Sequence, residues 1–180
     1  MKASQSIINF LKSIEGLSLA PYWDIKGWSI GYGHFLGGLK TAKPQNISQA
    51  QADVFLLSDI AKVETAINNY LATNKLNLSQ GRFDALVDFG YNEGAGNLAK
   101  VLPVFKTTDK AIYDKFMLYV YAGGVINKGL QSRRKYEVDI MTLNFTPEKK
   151  NLINSQNIID ISVVLFIILV IILIIQKRLI

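Results

Sequence analysis

Two carboxyl groups lie close together near the start of the chain: Glu15, followed by Gly16, and Asp24, nine positions on. Directly behind them comes the run Trp28-Ser29-Ile30-Gly31-Tyr32-Gly33-His34. Carboxyls on either side of a short turn are what cleavage of a glycosidic bond requires. One stays protonated and donates to the leaving oxygen, while the other stays ionised across the sugar. A Glu at the end of a helix and an Asp on a following hairpin meet that requirement, because their surroundings differ.

Those positions depend on the elements around them. Ser4 or Ser6 caps a first helix, in which Ile7, Phe10, Leu11 and Ile14 recur at helical spacing. Gly16 is its natural stop. Glu15 therefore falls at the C-terminal end, where the helix dipole disfavours a further negative charge. From Leu17 to about Leu39, glycines punctuate aromatic and β-branched residues, the pattern of a small twisted hairpin or three-stranded sheet.

Ser48 and Gln51 form a capping box. The long helix it opens ends near Asn74 and carries Val54, Leu57, Ile60, Val63, Ile67 and Leu71 as one apolar stripe, read as ordinary core. Its length would let it join two lobes. Ser79 caps the next helix, with Phe83, Leu86 and Val87 buried and Gly94 and Gly96 closing it. Shorter helices are expected around Leu98–Phe105 and Asp109–Tyr121, a tight connection between Gly123-Gly124 and Gly129, and a last helix from about Leu130 to Leu143.

The chain has 180 residues, enough for a domain with a sizeable core. A net charge of +6 favours anionic partners such as cell wall, nucleic acid or a lipid surface. No basic patch is interleaved with aromatics, so nucleic acid is not expected. The absence of cysteine excludes disulfides and thiolate zinc, and a single histidine excludes a multi-histidine metal site. No cofactor or metal is expected. Met1 to Asn9 hold no long apolar stretch, so no secretory signal peptide is expected.

The tail differs in kind. Pro147 and the polar stretch Glu148–Asn157 read as a linker. Ile161 to Ile175 are apolar except for Ser162. At about 1.5 Å per residue this run spans roughly 22 Å, short of the ~30 Å hydrocarbon core. Ile158, Ile159 and Gln176 nearly close the gap if Asp160 and Lys177 reach toward headgroups. The expectation is a C-terminal membrane anchor in contact with the lipid bilayer. Lys149 and Lys150 before it and Lys177 and Arg178 after it give no orientation. The domains expected are 1–145 catalytic, 146–157 linker and 158–180 transmembrane.

At this point the residues resemble a family. Glu15-Gly16-Leu17, Tyr22-Trp23-Asp24 and Ile30-Gly31-Tyr32-Gly33-His34 look like the phage-type lysozymes of glycoside hydrolase family 24. Phe83 to Phe89 leading into Tyr91-Asn92-Glu93-Gly94 agrees, as do Tyr121-Ala122-Gly123-Gly124 before Gly129-Leu130 and Arg133-Arg134 before Glu137. The similarity runs in order from about residue 6 to 143. It implies an α+β, mostly helical, two-lobed fold with a small sheet lobe, a helical lobe and a cleft for peptidoglycan between them. It also implies hydrolysis of the β-1,4 bond between N-acetylmuramic acid and N-acetylglucosamine, generally with inversion.

Under that resemblance Glu15 is the general acid and Asp24 the carboxylate that positions and activates water. Ser29 matches a position that is normally Thr; it keeps the hydroxyl that could hold the water but loses the methyl that fixes its rotamer. Tyr91 and Asn92 fall where the family lines its cleft, and an aromatic face with an amide suits an N-acetylated sugar. Arg133 matches an arginine near the catalytic Glu, placed to tune it or to hold peptide carboxylates of the substrate. His34 is expected to pair with Asp59 on the long helix, and Arg134 with Glu137 within one helix. Two functions follow: an active muramidase with a membrane tether, or a non-catalytic, membrane-anchored peptidoglycan binder on the same fold. The presence of both Glu15 and Asp24 favours the enzyme.

Overall fold

The computed structural model describes residues 1–24, 27–38 and 44–142. Helix α1 runs Gln5–Glu15 and is capped by Ser4, whose hydroxyl accepts from the Ile7 N–H. Eleven residues make a marginal helix in isolation, and tertiary bonds hold its start. The Ala3 N–H donates to Glu64 at 2.7 Å, Lys2 pairs with the same carboxylate, and the Ser4 N–H donates to Asp84 at 2.9 Å. Gly16 ends it with φ 72°.

Three antiparallel strands follow in the order β1 (Ser18–Asp24), β2 (Gly27–Gly31) and β3 (His34–Gly37). The register pairs Tyr22 with Ser29, Trp23 with Trp28 and Asp24 with Gly27. A Cβ on Gly27 would lie 2.1 Å from the Gly37 carbonyl oxygen, so only glycine allows β2 and β3 to close opposite Asp24. The Ile47 N–H reaches back to the Leu19 carbonyl and ties the approach to the next helix onto this sheet.

Helix α2 (Gln49–Asn74) opens on the reciprocal capping box of Ser48 and Gln51 and ends at Lys75 in the left-handed region. Its buried ridge is not the expected stripe. Ala52, Leu56, Ile60, Glu64, Ile67 and Leu71 face inward, whereas Val54 and Leu57 are exposed. Steps of three and four place these residues on one face, and Glu64 belongs to that face because the chain's own start neutralises it. A buried charge with a distant partner shifts the stripe away from where apolarity alone sets it.

Helix α3 (Gln80–Val101) is capped by Ser79 and breaks at Gly94 (φ 78°, ψ 169°) rather than ending there. It resumes helical geometry, so the separate helix expected from Leu98 is the last part of α3 followed by a 3-10 turn, Leu102–Lys106. Every residue from Phe83 to Gly90 is buried, including Asp84 and Asp88. Helix α4 (Asp109–Phe116) passes through a short 3-10 turn into a two-residue hairpin, β4 (Tyr121–Ala122) and β5 (Val125–Ile126), turning at Gly123-Gly124. Helix α5 (Lys128–Thr142) starts earlier than expected because the Asn127 side chain accepts from the Leu130 N–H. The apolar centre forms where α3 packs on α5 and where Phe89, Phe116 and Phe105 meet.

The described residues are thus mostly helical, with two small antiparallel sheets. The linker and membrane span expected over 146–180 lie outside the described residues. Among the described residues, no helix is long and apolar enough to cross a membrane.

Helices α3 and α5 touch through Gly81, where an added Cβ would lie 2.0 Å from the Ile140 carbonyl oxygen. Alanine normally favours a helix by up to about 1 kcal/mol over glycine. Here the clash reverses the sign, and Gly81→Ala should destabilise by about 1–3 kcal/mol. Urea unfolding reads this directly; an unchanged midpoint would mean the two helices part without cost.

Candidate active site

Glu15 is the last residue of α1, and its side chain is about one quarter exposed (23%). It meets a residue 118 positions away: Arg133 Nη1 donates to Glu15 Oε1 at 2.7 Å. The same guanidinium turns its other edge to Asp88 on α3. Nε donates to Oδ2 at 3.1 Å and Nη2 to Oδ1 at 2.7 Å. Asp88 is fully buried and Arg133 nearly so. A two-bond fork between guanidinium and carboxylate fixes both groups in orientation as well as distance. Asp88 and Glu15 together raise the Arg133 pKa against the opposing effect of burial.

Asp24 ends β1 and is exposed. Tyr22, two residues earlier and on the same strand face, connects it to Glu15 electrostatically. Its phenol is raised by burial first, then by the charges of Asp24 and Glu15. Ser29 is opposite Tyr22 in the register and is buried. Directly paired residues share a sheet face, so Ser29 is the diagonal neighbour of Asp24.

Tyr91 approaches from α3. Its hydroxyl donates to the Tyr32 carbonyl at 2.8 Å, which joins the sheet to the helical body. Its phenol is pushed far up, by burial first and then by Glu15 and Asp59, with Arg133 opposing. With Gly33, His34, Phe35 and Leu98 it lines a cleft of about 410 Å³. The His34–Asp59 pair is present, Nδ1 to Oδ2 at 2.6 Å, with Lys62 on the other carboxylate oxygen and Phe55 stacked on the imidazole.

Asn92 is held from behind: its side-chain oxygen accepts from Arg134 Nη2 at 2.9 Å. Arg134 also bonds Glu93 and Glu137 and lies over the Phe89 ring. The Arg134–Glu137 contact is the expected i,i+3 pair, but both side chains are fully buried, so it belongs to the core and not to a solvated helix face. Burial and the nearby Asp88 push the Glu137 carboxyl well up against the pull of Arg134. Its Oε1 accepts from Arg134, and a hydrogen bond shared with the Asp88 carboxylate adds to the rise.

The structure therefore joins Glu15 to Arg133 and puts Tyr22 within electrostatic reach of Glu15 and Asp24, and Tyr91 within reach of Glu15 and Arg133; Ser29 is diagonal to Asp24 in the sheet and Asn92 is one residue beyond Tyr91. Among the described residues, no group of acidic side chains and histidine is arranged to hold a metal. Sequence reasoning missed Tyr22, Asp88 and the reach of Arg134 to Asn92. The available signal was two aspartates within the otherwise apolar run Phe83–Phe89, since a charge inside such a run needs a partner.

A small sheet set against a helical body, with a carboxyl from each at their junction, is the architecture of a lysozyme. The chain belongs to the phage lysozyme family, whose model matches residues 12–137. It is 34% identical over 158 residues to an endolysin of Bacillus phage B103, a match covering 84% of this chain and 57% of that protein. The chain thus spans little more than half the length of that relative. The endolysin of Escherichia coli O157:H7 phage FAHEc1 superposes with a TM-score of 0.67 at 28% identity, covering 82% of this chain and 97% of that one. The muramidase domain of SpmX from Asticaccaulis excentricus also gives 0.67, at 26% identity over 81% of this chain and 99% of the other.

Tyr136, on α5 beside this site, stacks on Phe10 with ring centroids 3.9 Å apart. Its phenol is pushed up to about 12 by burial, then by Asp88 and Asp84. A raised phenol ionises more readily in the unfolded chain, whose value is about 10. The stability it contributes is whole below that pH and lost as pH rises through 12. Tyr136→Phe should make the fall in stability between pH 10 and 12 shallower, as measured by denaturant midpoints across that range; an identical slope would remove Tyr136 as a cause.

Proposed function

We propose that the chain is a peptidoglycan muramidase that hydrolyses the β-1,4 bond between N-acetylmuramic acid and N-acetylglucosamine and so degrades the cell wall. The observation that carries this reading is the placement of Glu15. It is fixed at a helix end by Arg133, and Tyr22 lies within the electrostatic reach of both it and Asp24. Glu15 is the general acid for the leaving oxygen. Asp24 positions and activates the attacking water, and Ser29, its diagonal neighbour in the sheet, offers a hydroxyl to the same water. Tyr91 supplies an aromatic face to the sugar. Asn92 meets the acetamido group through its amide nitrogen, because its oxygen is held by Arg134. Family membership and the likeness to a muramidase domain support this reaction.

The apolar run from 161 to 175 supports a C-terminal membrane anchor joined through a linker over 146–157. In this reading the catalytic unit works on glycan strands while the tail is held in the bilayer.

The test is release of new reducing ends from purified peptidoglycan by the whole chain. Glu15→Gln should lower the rate by about 100- to 10,000-fold, the range for loss of a general acid. Asp24→Asn should fall comparably, and Ser29→Thr should be at least as active as the parent. Wall binding without release by a well-folded parent chain would replace the enzyme with the anchored binding protein.

A further inference from the structure

An arginine favours the ionised form of a carboxyl it touches, yet an acid must keep its proton. The Arg133–Glu15 contact, taken alone, opposes the role proposed for Glu15. We propose that Asp88 resolves this conflict. It is a positioning residue that takes three of the four hydrogen bonds of the Arg133 side chain, two of them on its carboxylate, and leaves Nη1 alone for Glu15, so that Glu15 meets a guanidinium whose charge is already matched. The inference rests on the general-acid reading of Glu15.

Three observations carry it. Asp88 is completely buried, where an unpaired carboxylate would cost several kcal/mol, so its pairing with Arg133 is obligatory. The fork geometry means that Arg133 cannot swing to give Glu15 a second bond without breaking one to Asp88. The remaining charged groups around Asp88 do not substitute for it. Tyr136 is neutral, Arg134 is committed to Glu137, Glu93 and Asn92, and Glu137 is itself a carboxyl that shares a hydrogen bond with Asp88. Burial and Asp88 favour the neutral form of Glu137, so Asp88 is the carboxylate in direct contact with Arg133 that balances its charge. Among the described residues, Glu15 is met by Arg133 from α5 and lies within electrostatic reach of Tyr91 from α3 and of Tyr22 from β1, which also feels Asp24. Of these, only Arg133 is positive.

Asp88→Asn keeps the shape and an acceptor but removes the charge. Arg133 then bears on Glu15 undiluted, the proton leaves Glu15 at lower pH, and the basic limb of the pH profile of kcat/KM should move down by roughly one unit. Asp88→Glu should keep the limb near that of the parent. Glu137 could ionise to replace the lost charge, so Asp88→Asn is measured both alone and with Glu137→Gln. Carbon-13 carboxyl titration of Glu15, assigned by Glu15→Gln, reads the same shift without turnover.

A downward shift of the limb and of the Glu15 titration in either background supports the role. Both staying in place in both backgrounds, with lowered thermal stability alone, would overturn it and leave Asp88 a structural residue. If Asp88→Asn does not fold, Asp88→Ser makes the same charge change in less space and is judged by the same two readouts. A parent chain without activity sinks the enzymatic reading instead, and the carboxyl titration still decides whether Asp88 governs Glu15.

Discussion

The site depends on one requirement: a guanidinium taken out of water must find acceptors from the protein, which both arginines here do through every nitrogen but the Arg134 Nε. Two such groups are adjacent in sequence, Arg133 and Arg134, and α5 directs them to different partners. Arg133 takes α3 through Asp88 and α1 through Glu15, while Arg134 takes the end of the first segment of α3 through Asn92 and Glu93. Three helices are thereby fixed relative to one another by directional bonds, not by apolar contact alone. Hydrophobic burial is tolerant of small slides; a forked ion pair is not. The position of the candidate acid follows from that intolerance.

The sheet contributes differently. It is small, and much of its outer surface is open to solvent, with Trp23 and Phe35 exposed. Its inner strand packs on α2, with Ile30 buried and Gly31 against Ala52, and specific bonds from Tyr91 to the Tyr32 carbonyl and from His34 to Asp59 add to this. Asp24 ends an outer strand of this sheet, whereas Glu15 ends helix α1. The two carboxyls of the proposed mechanism are thus carried by parts of the molecule with different surroundings, as two different protonation states would require.

Much of this was legible in the sequence where the cause was local. The serine caps at Ser4, Ser48 and Ser79, the stop at Gly16, the three-stranded sheet and the His34–Asp59 pair are consistent with what residue types and family resemblance imply. What escaped was set by partners far along the chain. Glu64 lies on the buried ridge of α2 because residues 2 and 3 neutralise it, so apolar periodicity pointed to Val54 and Leu57 instead. Gly94 read as a terminus because a glycine in a helical pattern signals an end, yet packing of Leu98 and Val101 restarts the helix. Asp88 gave only a hint, since nothing near it in sequence names Arg133 as its partner.

The 118-residue separation between Glu15 and Arg133 also orders events during synthesis. At about 5–20 residues per second, the partner of Glu15 is made some 6–24 seconds after Glu15 itself. For that interval the nascent chain carries both carboxyls but lacks the arginine that fixes the acid. Translation thus works as a timer: the contact that fixes Glu15 cannot form until α5 has been made.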